Sequence, residues 1–272
     1  MQPSAPEAPA ALSYREVDCS YAARAGLRQR HSVLRGVSFR VQPHEFVTVI
    51  GPTGCGKSTL LHLGAGLLAQ DAGEVESFGL PVQGLNRRAG YMFQAESLMP
   101  WRTALGNVLA GLQFRGLGRA EREQRGHALL QRVGLAEFAH HHPHQLSGGM
   151  RKRVALAQTL VLEPDLLLMD EPFSALDAQT RELMQNQLLA LRRDQPCAAL
   201  LVTHDLDEAV ALGDRVVVLS AGPGSHPIGE FAVERPALND VSEAREVPAL
   251  IELSKKLRAL LRREVLEGSR AP

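Results

Sequence analysis

The segment FVTVIGPTGCGKST, residues 46–59, decides the fold. It opens with an apolar run typical of a buried strand and continues with GPTGCGKST, which fits the pattern G-x-x-x-x-G-K-[ST] in full. The run at 57–69 is helix-like, so the glycines lie between a strand and a helix, the context that a phosphate-binding loop requires. The segment therefore predicts a nucleotide-binding α/β domain.

The residue types of this loop suit phosphate chemistry. Glycine lets backbone N–H groups turn toward phosphates, and the dipole of the following helix favours negative charge at its N-terminus. Lys57 would reach the outer phosphates, and the hydroxyl of Ser58 would hold Mg²⁺. An ordinary glycine-rich turn is the alternative, and the complete motif in this context argues against it. The predicted nucleotide contacts are Gly51, Pro52, Thr53, Gly54, Cys55, Gly56, Lys57, Ser58 and Thr59.

Three more short apolar runs end in polar residues and are predicted as strands, at 165–170, 198–203 and 215–220. Helix-like segments separate them, which predicts a mainly parallel sheet with helices on both faces and ligands at the carboxyl ends of the strands. Between residues 101 and 162 the strand patterns disappear and helical patterns dominate. We therefore expect a helical subdomain inserted into the α/β core.

Composition narrows the class of partner. The 272 residues include 30 basic and 30 acidic side chains, so the charges cancel and a nucleic-acid partner is not expected. Three cysteines without metal or disulfide spacing favour a reducing compartment. Residues 1–12 are rich in Pro and Ala and predict a disordered leader. No apolar run approaches the roughly 20 residues that span a bilayer, so any membrane passage would belong to another chain.

A pair of carboxylates follows the apolar run LLLM. Asp170 suits a contact with Mg²⁺, through water, and Glu171 could polarise a water that attacks a γ-phosphate. An acidic pair after a strand is more often a solvated loop, but a phosphate loop in the same chain favours the functional interpretation. A GTPase is disfavoured because the guanine-reading pattern N-K-x-D does not occur in the sequence.

Three polar residues lie where sensors of a γ-phosphate are expected. Gln94 follows the apolar run YMF, His204 follows AALLVT, and Asp177 comes shortly after Glu171. Each alone is weak evidence, since a histidine after a strand is more often a surface or capping residue. Their order around one phosphate loop strengthens the joint interpretation.

A second phosphate-binding turn opens LSGGMRKRVALAQTL, residues 146–160. With it, the chain resembles the ATP-binding subunit of an ABC transporter from about Ser13 to the C-terminus. The resemblance makes residues 51–59 the Walker A loop, residues 146–150 the signature loop and residues 166–170 the Walker B strand. It makes Gln94 the Q-loop glutamine and a Mg²⁺ ligand, and Glu171 the catalytic base. Residues 174–177 would be the D-loop, and His204 the switch histidine. Tyr21 is the best match for the aromatic that stacks on adenine, and Tyr14 has suitable spacing as well.

The resemblance implies an α/β fold of the ABC ATPase type. Its core is a RecA-like P-loop NTPase domain with an antiparallel β edge and an inserted helical subdomain. The implied ATPase domain is 13–245, with its core at 13–95 and 163–245 and its helical subdomain at 96–162. Residues 246–272 form a helix and tail with leucines at helical spacing, which predicts a helix docked on its own domain; a regulatory or membrane-surface role is the alternative.

The resemblance also implies ATP, Mg²⁺ and a second copy of the chain as partners. In a head-to-tail dimer, Ser147, Gly148 and Gly149 of one copy would bind the γ-phosphate held by the loop of the other, and Asp177 would lie near the same nucleotide. Permease subunits at the cytoplasmic face of the inner membrane, and a solute-binding protein, would complete the system. No nucleic acid is implied.

The signature reads LSGGM, with Met150 where the family most often has Gln. This variant and the segment FQAESLMPWRTALGNV, 93–108, resemble the branch that imports nitrate, sulfonate or taurine, and we expect 93–101 to dock the permease. An exporter or lipid-trafficking partner is the nearer alternative. A soluble ABC-type ATPase acting on DNA or the ribosome is disfavoured, because the chain lacks sustained heptads and carries one motif set.

Overall fold

The computed structural model of the chain describes residues 8–22, 30–174, 176–194, 197–234, 236, 238 and 240–268. The strands are β1 (Leu12–Ala22), β2 (Arg30–Val41), β3 (Phe46–Ile50), β4 (Ala72–Ser77), β5 (Leu80–Pro81), β6 (Ala89–Met92), β7 (Leu166–Asp170), β8 (Ala198–Val202), β9 (Arg215–Leu219) and β10 (Pro227–Ala232). The helices are α1 (Lys57–Gly64), α2 (Ala104–Val108), α3 (Arg119–Arg132), α4 (Gly148–Leu160), α5 (Ala178–Asp194), α6 (Leu206–Leu212) and α7 (Pro248–Gly268).

The predicted leader falls largely outside this description, because residues 1–7 are not part of it. Its last two residues belong to the fold: Ala11 and Leu12 are fully buried, and β1 begins at Leu12.

The larger sheet carries the strands predicted from apolar runs. Its order is β10-β9-β3-β8-β7-β6, parallel throughout except for the antiparallel edge strand β10. Every residue of β3, β7 and β8 is buried, as expected for parallel strands covered on both faces. This burial explains why continuous apolar runs located these strands to within one residue, and the predicted fold class is confirmed.

The two faces of the sheet pack against different layers. In β3, Val47 and Val49 join the core beneath α1 and the smaller sheet, while Phe46 and Ile50 face the core shared with α5, α6 and α7. The smaller sheet is antiparallel, in the order β2-β1-β4-β5. Helices therefore cover both faces, with α1 sandwiched between the two sheets on one of them.

The inserted segment is helical and has a core of its own. Val108 of α2, Leu130 of α3 and Val154 with Ala157 of α4 are buried together. A separate core supports the division that we propose, in which residues 96–162 form a helical subdomain within a domain of 13–245.

The last helix packs on the domain that precedes it. Leu250 and Leu257 of α7 are buried in the core shared with α5 and α6, and Leu253, Leu260 and Leu261 pack partly buried beside them. The Glu264 carboxylate accepts a hydrogen bond from the backbone N–H of Ala221 at 3.0 Å. Within the described ranges, no helix is long and apolar enough to cross a bilayer.

The docked position of α7 makes Leu257→Ala a test of the fold. Leu257 is fully buried, so truncation should lower the free energy of unfolding by about 2–5 kcal/mol. Val265→Ala on the same helix, where the side chain is 55% exposed, should change it by less than about 0.5 kcal/mol. Urea unfolding followed by circular dichroism measures both, and equal effects would mean that α7 does not pack this way in solution.

Candidate functional site

The predicted phosphate loop leaves the carboxyl end of β3 and enters α1, as its sequence requires. Gly56 has φ +96°, and a Cβ there would lie 2.6 Å from Val33 Cγ1, so the turn admits only glycine. Lys57 is buried, and its Nζ donates hydrogen bonds to the carbonyl oxygens of Gly51 at 2.9 Å and Pro52 at 3.0 Å. The ammonium is thus held inside the loop.

Cys55 takes part in this loop through its backbone. Its side chain is 1% exposed and packs in the core under α1, where burial raises the pKa of the thiol. Any contact that Cys55 makes with a phosphate would therefore come from its N–H, and the thiol acts as a small filler.

A hydroxyl and a carboxylate meet beside the loop. Ser58 Oγ donates to Asp170 Oδ1 at 3.0 Å, and burial raises the pKa of Asp170. Among the described residues, no three His, Cys, Asp or Glu side chains converge on a metal position. An oxygen pair of this kind fits Mg²⁺, which keeps waters and takes its other ligands from substrate phosphates.

Gln94 and His204 meet at one oxygen of Glu171. Gln94 Nε2 lies 3.2 Å from Glu171 Oε2, and His204 Nδ1 lies 3.3 Å from the same atom. The structure thus brings together three residues that are well separated in sequence, with 77 positions between Gln94 and Glu171. Gln94 turns its amide nitrogen toward Glu171, so the contact with Mg²⁺ expected of Gln94 remains a prediction.

The backbone at Glu171 explains this convergence. Its N–H donates to the carbonyl oxygen of Val202 at 2.9 Å, which continues the pairing of β7 with β8 by one residue. Glu171 has φ +43°, a left-handed conformation that costs a non-glycine residue energy and that often marks functional sites. Because His204 follows Val202 by two residues, the paired strand ends place both side chains together.

A buried carboxyl supports the turn that carries His204. The hydroxyl of Thr203 donates to Glu208 Oε2 at 2.6 Å and accepts the N–H of Asp205 at 3.0 Å. Asp205 in turn caps α6 by accepting the N–H groups of Asp207 and Glu208. Burial raises the pKa of Glu208 from 4.5 to about 7. Sequence reasoning missed Glu208, because nothing in the sequence marks which carboxylate of the run 205–208 is buried.

The signature residues begin α4. Ser147 is exposed and accepts the N–H of Met150 at 3.3 Å as the N-cap, with Gly148 and Gly149 in the first turn. A Cβ on Gly149 would lie 2.5 Å from Thr180 Cγ2, so this turn packs closely against the start of α5. Asp177 caps α5 there through the N–H of Thr180 at 3.0 Å, which lowers the pKa of its carboxyl.

The basic residues after the signature hold the Q-loop. The Lys152 ammonium is buried and donates to the carbonyl oxygen of Gln94, and Arg151 Nε lies 2.8 Å from Glu96 Oε2. Lys152 and Arg151 thus tie α4 to the segment that presents Gln94, a role that the sequence did not reveal because their partners lie more than fifty residues away.

The two tyrosine candidates for adenine stacking differ clearly in their exposure to solvent. Tyr14 is buried against Phe39, donates to the carbonyl oxygen of Leu60 at 2.7 Å, and has a pKa raised by burial. Tyr14 therefore has no face left for a base, and that alternative is wrong. Tyr21 is 41% exposed, and its hydroxyl lies 3.3 Å from Thr59 Oγ1 at the end of the phosphate loop. Adenine stacking by Tyr21 remains a prediction.

Comparisons with known proteins agree on one family. The family model described as ABC transporter matches residues 34–174. An uncharacterised ABC transporter ATP-binding protein of Methanocaldococcus jannaschii is 44% identical over 88% of each chain. Taurine import ATP-binding proteins of Yersinia pestis and Pseudomonas aeruginosa are 46% and 48% identical, covering 78% and 72% of this chain and 80% and 74% of their own. A dimeric ATP-binding cassette solved with ADP and Pi is 31% identical, with a TM-score of 0.74 over 83% of this chain and all of its own.

The raised pKa of Glu208 predicts how pH affects stability. A carboxyl that is easier to protonate in the folded state stabilises the fold fully below about pH 4.5, and this contribution is lost as pH rises through about 7. Glu208→Gln keeps a neutral hydrogen-bonding group at every pH. The stability of Glu208→Gln relative to the unmodified chain should therefore rise by up to about 3 kcal/mol between about pH 5 and about pH 8.5.

Urea unfolding at the two pH values measures this difference. The exposed Glu137→Gln change is the control variant. A Glu208→Gln protein whose relative stability is the same at both pH values would show that the carboxyl titrates normally.

Proposed function

This chain belongs to the ABC transporter family, and we propose that it is the ATP-hydrolysing subunit that powers import of a small solute of the nitrate, sulfonate or taurine class. ATP binding and ATPase activity follow from the family itself. The likeness to taurine import ATP-binding proteins supports import and the solute class. The signature residue Met150 and the segment at 93–108 support the same branch.

The contacts at Glu171 carry the catalytic part of the proposal. A carboxylate that Gln94 and His204 both approach at 3.2–3.3 Å is held in one orientation, which a general base for water requires. In this scheme Glu171 orients the attacking water and His204 contacts the γ-phosphate, while the Lys57 ammonium stabilises developing charge. Ser58 and Asp170, with Gln94 as a further ligand, would hold Mg²⁺, whose charge neutralises phosphate oxygens.

A second copy of the chain would complete each nucleotide site. Ser147 is exposed at the N-terminus of a thirteen-residue helix, where N–H groups and the dipole favour a phosphate. Within the described residues, no hydrogen bond joins 147–149 to the chain's own loop at 51–59. The solved cassette with ADP and Pi is dimeric, which supports head-to-tail pairing with ATP between the copies. Asp177, exposed beside the signature turn, would lie at the same interface.

The surface between the core and the helical subdomain is suited to the permease subunits. Trp101 is 73% exposed, and Phe93, which is 42% exposed, lines a cleft of about 200 Å³. Asn107 is fully buried and fixes the turn before α2, accepting the N–H of Met99 at 2.7 Å and donating to three carbonyl oxygens of residues 99–103. A rigid turn that exposes a tryptophan is typical of a protein interface.

The complete system that we propose lies at the cytoplasmic face of the inner membrane. This chain would bind there as a peripheral subunit, through permease chains that span the bilayer. A solute-binding protein on the opposite side would deliver the solute.

Glu171→Gln tests the catalytic assignment. The amide keeps the size of the side chain but cannot accept a proton, so ATP hydrolysis should fall by about 10²–10⁴-fold. Nucleotide affinity should stay within about threefold, because Lys57 and the loop are unchanged. Phosphate release and binding of a fluorescent ATP analogue give the two readouts. The exposed Glu234→Gln change serves as control, and hydrolysis that survives in Glu171→Gln would remove the assignment.

Trp101→Glu tests the docking surface. A buried charge in the interface should abolish copurification with the permease subunits from cells that express the whole transporter, while ATP binding by the isolated chain stays normal. Val265→Glu introduces the same charge at a 55% exposed apolar site on α7 and should leave assembly intact. Unchanged assembly of Trp101→Glu would rule out this surface, and the membrane chains that copurify identify an importer or an exporter.

A further inference from the structure

A second cavity lies away from the phosphate loop, between α5, α6 and α7. Its volume is about 330 Å³, within the range of small-molecule sites, and a short 3₁₀ helix at Val241–Glu246 closes one side. Val210, Ala211 and Leu250 form part of an apolar wall. Nothing in the ATPase scheme above uses this space.

Two buried polar side chains line the cavity without a full set of partners. Gln185 is 8% exposed, and its amide forms no hydrogen bond within the described residues. Glu208 is 6% exposed; its Oε2 accepts the Thr203 hydroxyl, while Oε1 has no hydrogen bond in the same part of the chain. Neither Glu208 Oε1 nor the Gln185 amide is sealed from solvent, so both can accept a hydrogen bond from a molecule that enters the cavity. The two free acceptors, a carboxyl oxygen and an amide oxygen, suit a ligand that donates hydrogen bonds.

The charged residues divide across the cavity. The α5–α6 side carries carboxylates at Glu182, Asp205, Asp207 and Glu208. It also carries Arg181, whose Nη2 donates to the Leu176 carbonyl oxygen and whose Nη1 lies 3.8 Å from Asp205 Oδ2. The opposite side carries three cations, Arg245, Lys255 and Arg258.

The cations of the α7 side are available to a ligand. Arg245 and Arg258 are exposed and form no ion pair in the described ranges, and Lys255 has only a 3.7 Å contact with Glu252. One wall is thus anionic and the other cationic, with apolar side chains between them. A ligand that complements the anionic wall, the cationic wall and the apolar side chains carries opposite charges at the two ends of a short apolar chain.

We propose that this cavity binds a small zwitterion with an ammonium group and an acidic group, as in an amino acid or an aminosulfonate. The ammonium lies against Glu208 and the Gln185 amide oxygen, and the acidic group lies toward Arg245 and Arg258. Charge-assisted hydrogen bonds at both ends set the orientation of the ligand, and the apolar wall contacts the carbon chain between them. The site is independent of the solute assigned above, and it lies against α6, the helix that begins two residues after His204.

Calorimetry on the full chain with matched ligands tests the two charges. Taurine and alanine are the zwitterionic probes, and ethanesulfonate and ethylamine each keep one charge of taurine. Both zwitterions should bind with one-to-one stoichiometry, and each single-charge analogue at least about tenfold more weakly. No binding of either zwitterion at millimolar concentration, or equal binding of the analogues, overturns the proposal.

Variants locate the bound molecule. Arg258→Glu at the mouth and Glu208→Gln at the inner end should each weaken taurine at least about tenfold. Arg262→Glu changes the same charge one turn along α7, outside the cavity, and should leave affinity within about twofold. Melting temperatures of all three confirm that they fold. Equal affinities in Arg258→Glu and Arg262→Glu would place taurine elsewhere.

Nucleotide competition separates this site from the ATPase site. Taurine affinity should be unchanged in Lys57→Ala and in the presence of saturating ATP. Displacement of taurine by ATP overturns the site while leaving the ATPase assignment intact. If ATP hydrolysis survives in Glu171→Gln, the catalytic scheme is refuted, and the proposal for this cavity is unaffected.

Discussion

The pairing of β7 with β8 is the constraint on which the candidate site depends. Both strands are buried along their whole length, and their register continues past Asp170 through the hydrogen bond from Glu171 N–H to the Val202 carbonyl oxygen. That single bond places Glu171 beside His204, while Asp170 turns toward Ser58 at the start of α1. A shift of one residue in this register would turn each of the two carboxylates to the other face of the sheet. The chemistry therefore depends on strand pairing more than on any loop.

The elements outside the sheet orient what the strand ends present. Lys152 and Arg151 tie α4 to the Q-loop, and the Thr203–Glu208 bond ties α6 to the turn of His204. Gln94 and His204 are therefore tied to two different helices, α4 and α6. In the proposed scheme, a nucleotide that contacts Gln94 also acts on α4 and through it on the helical subdomain, which would couple hydrolysis to partner chains.

Much of the fold was predictable because its information is local. Buried parallel strands are continuous apolar runs, and the loop at 51–59 has a pattern that few other structures require. The antiparallel sheet followed from the family resemblance alone, because β1 and β2 carry register shifts that interrupt their alternation. The burial of Lys152 and Glu208 and the left-handed backbone of Glu171 were not predictable, since each depends on partners that only the tertiary structure brings near. The cavity beside α7 had no sequence signal for the same reason.

The central claim is that two copies close the hydrolytic site, with Glu171 as its carboxylate. The most direct test is the mass of the Glu171→Gln protein in solution, with and without Mg-ATP. A change from one chain to two that occurs only with Mg-ATP, and that disappears when Ser147→Arg is added, is the predicted result. A Glu171→Gln protein that binds Mg-ATP and yet dimerises identically with Ser147 or Arg at that position would contradict the claim.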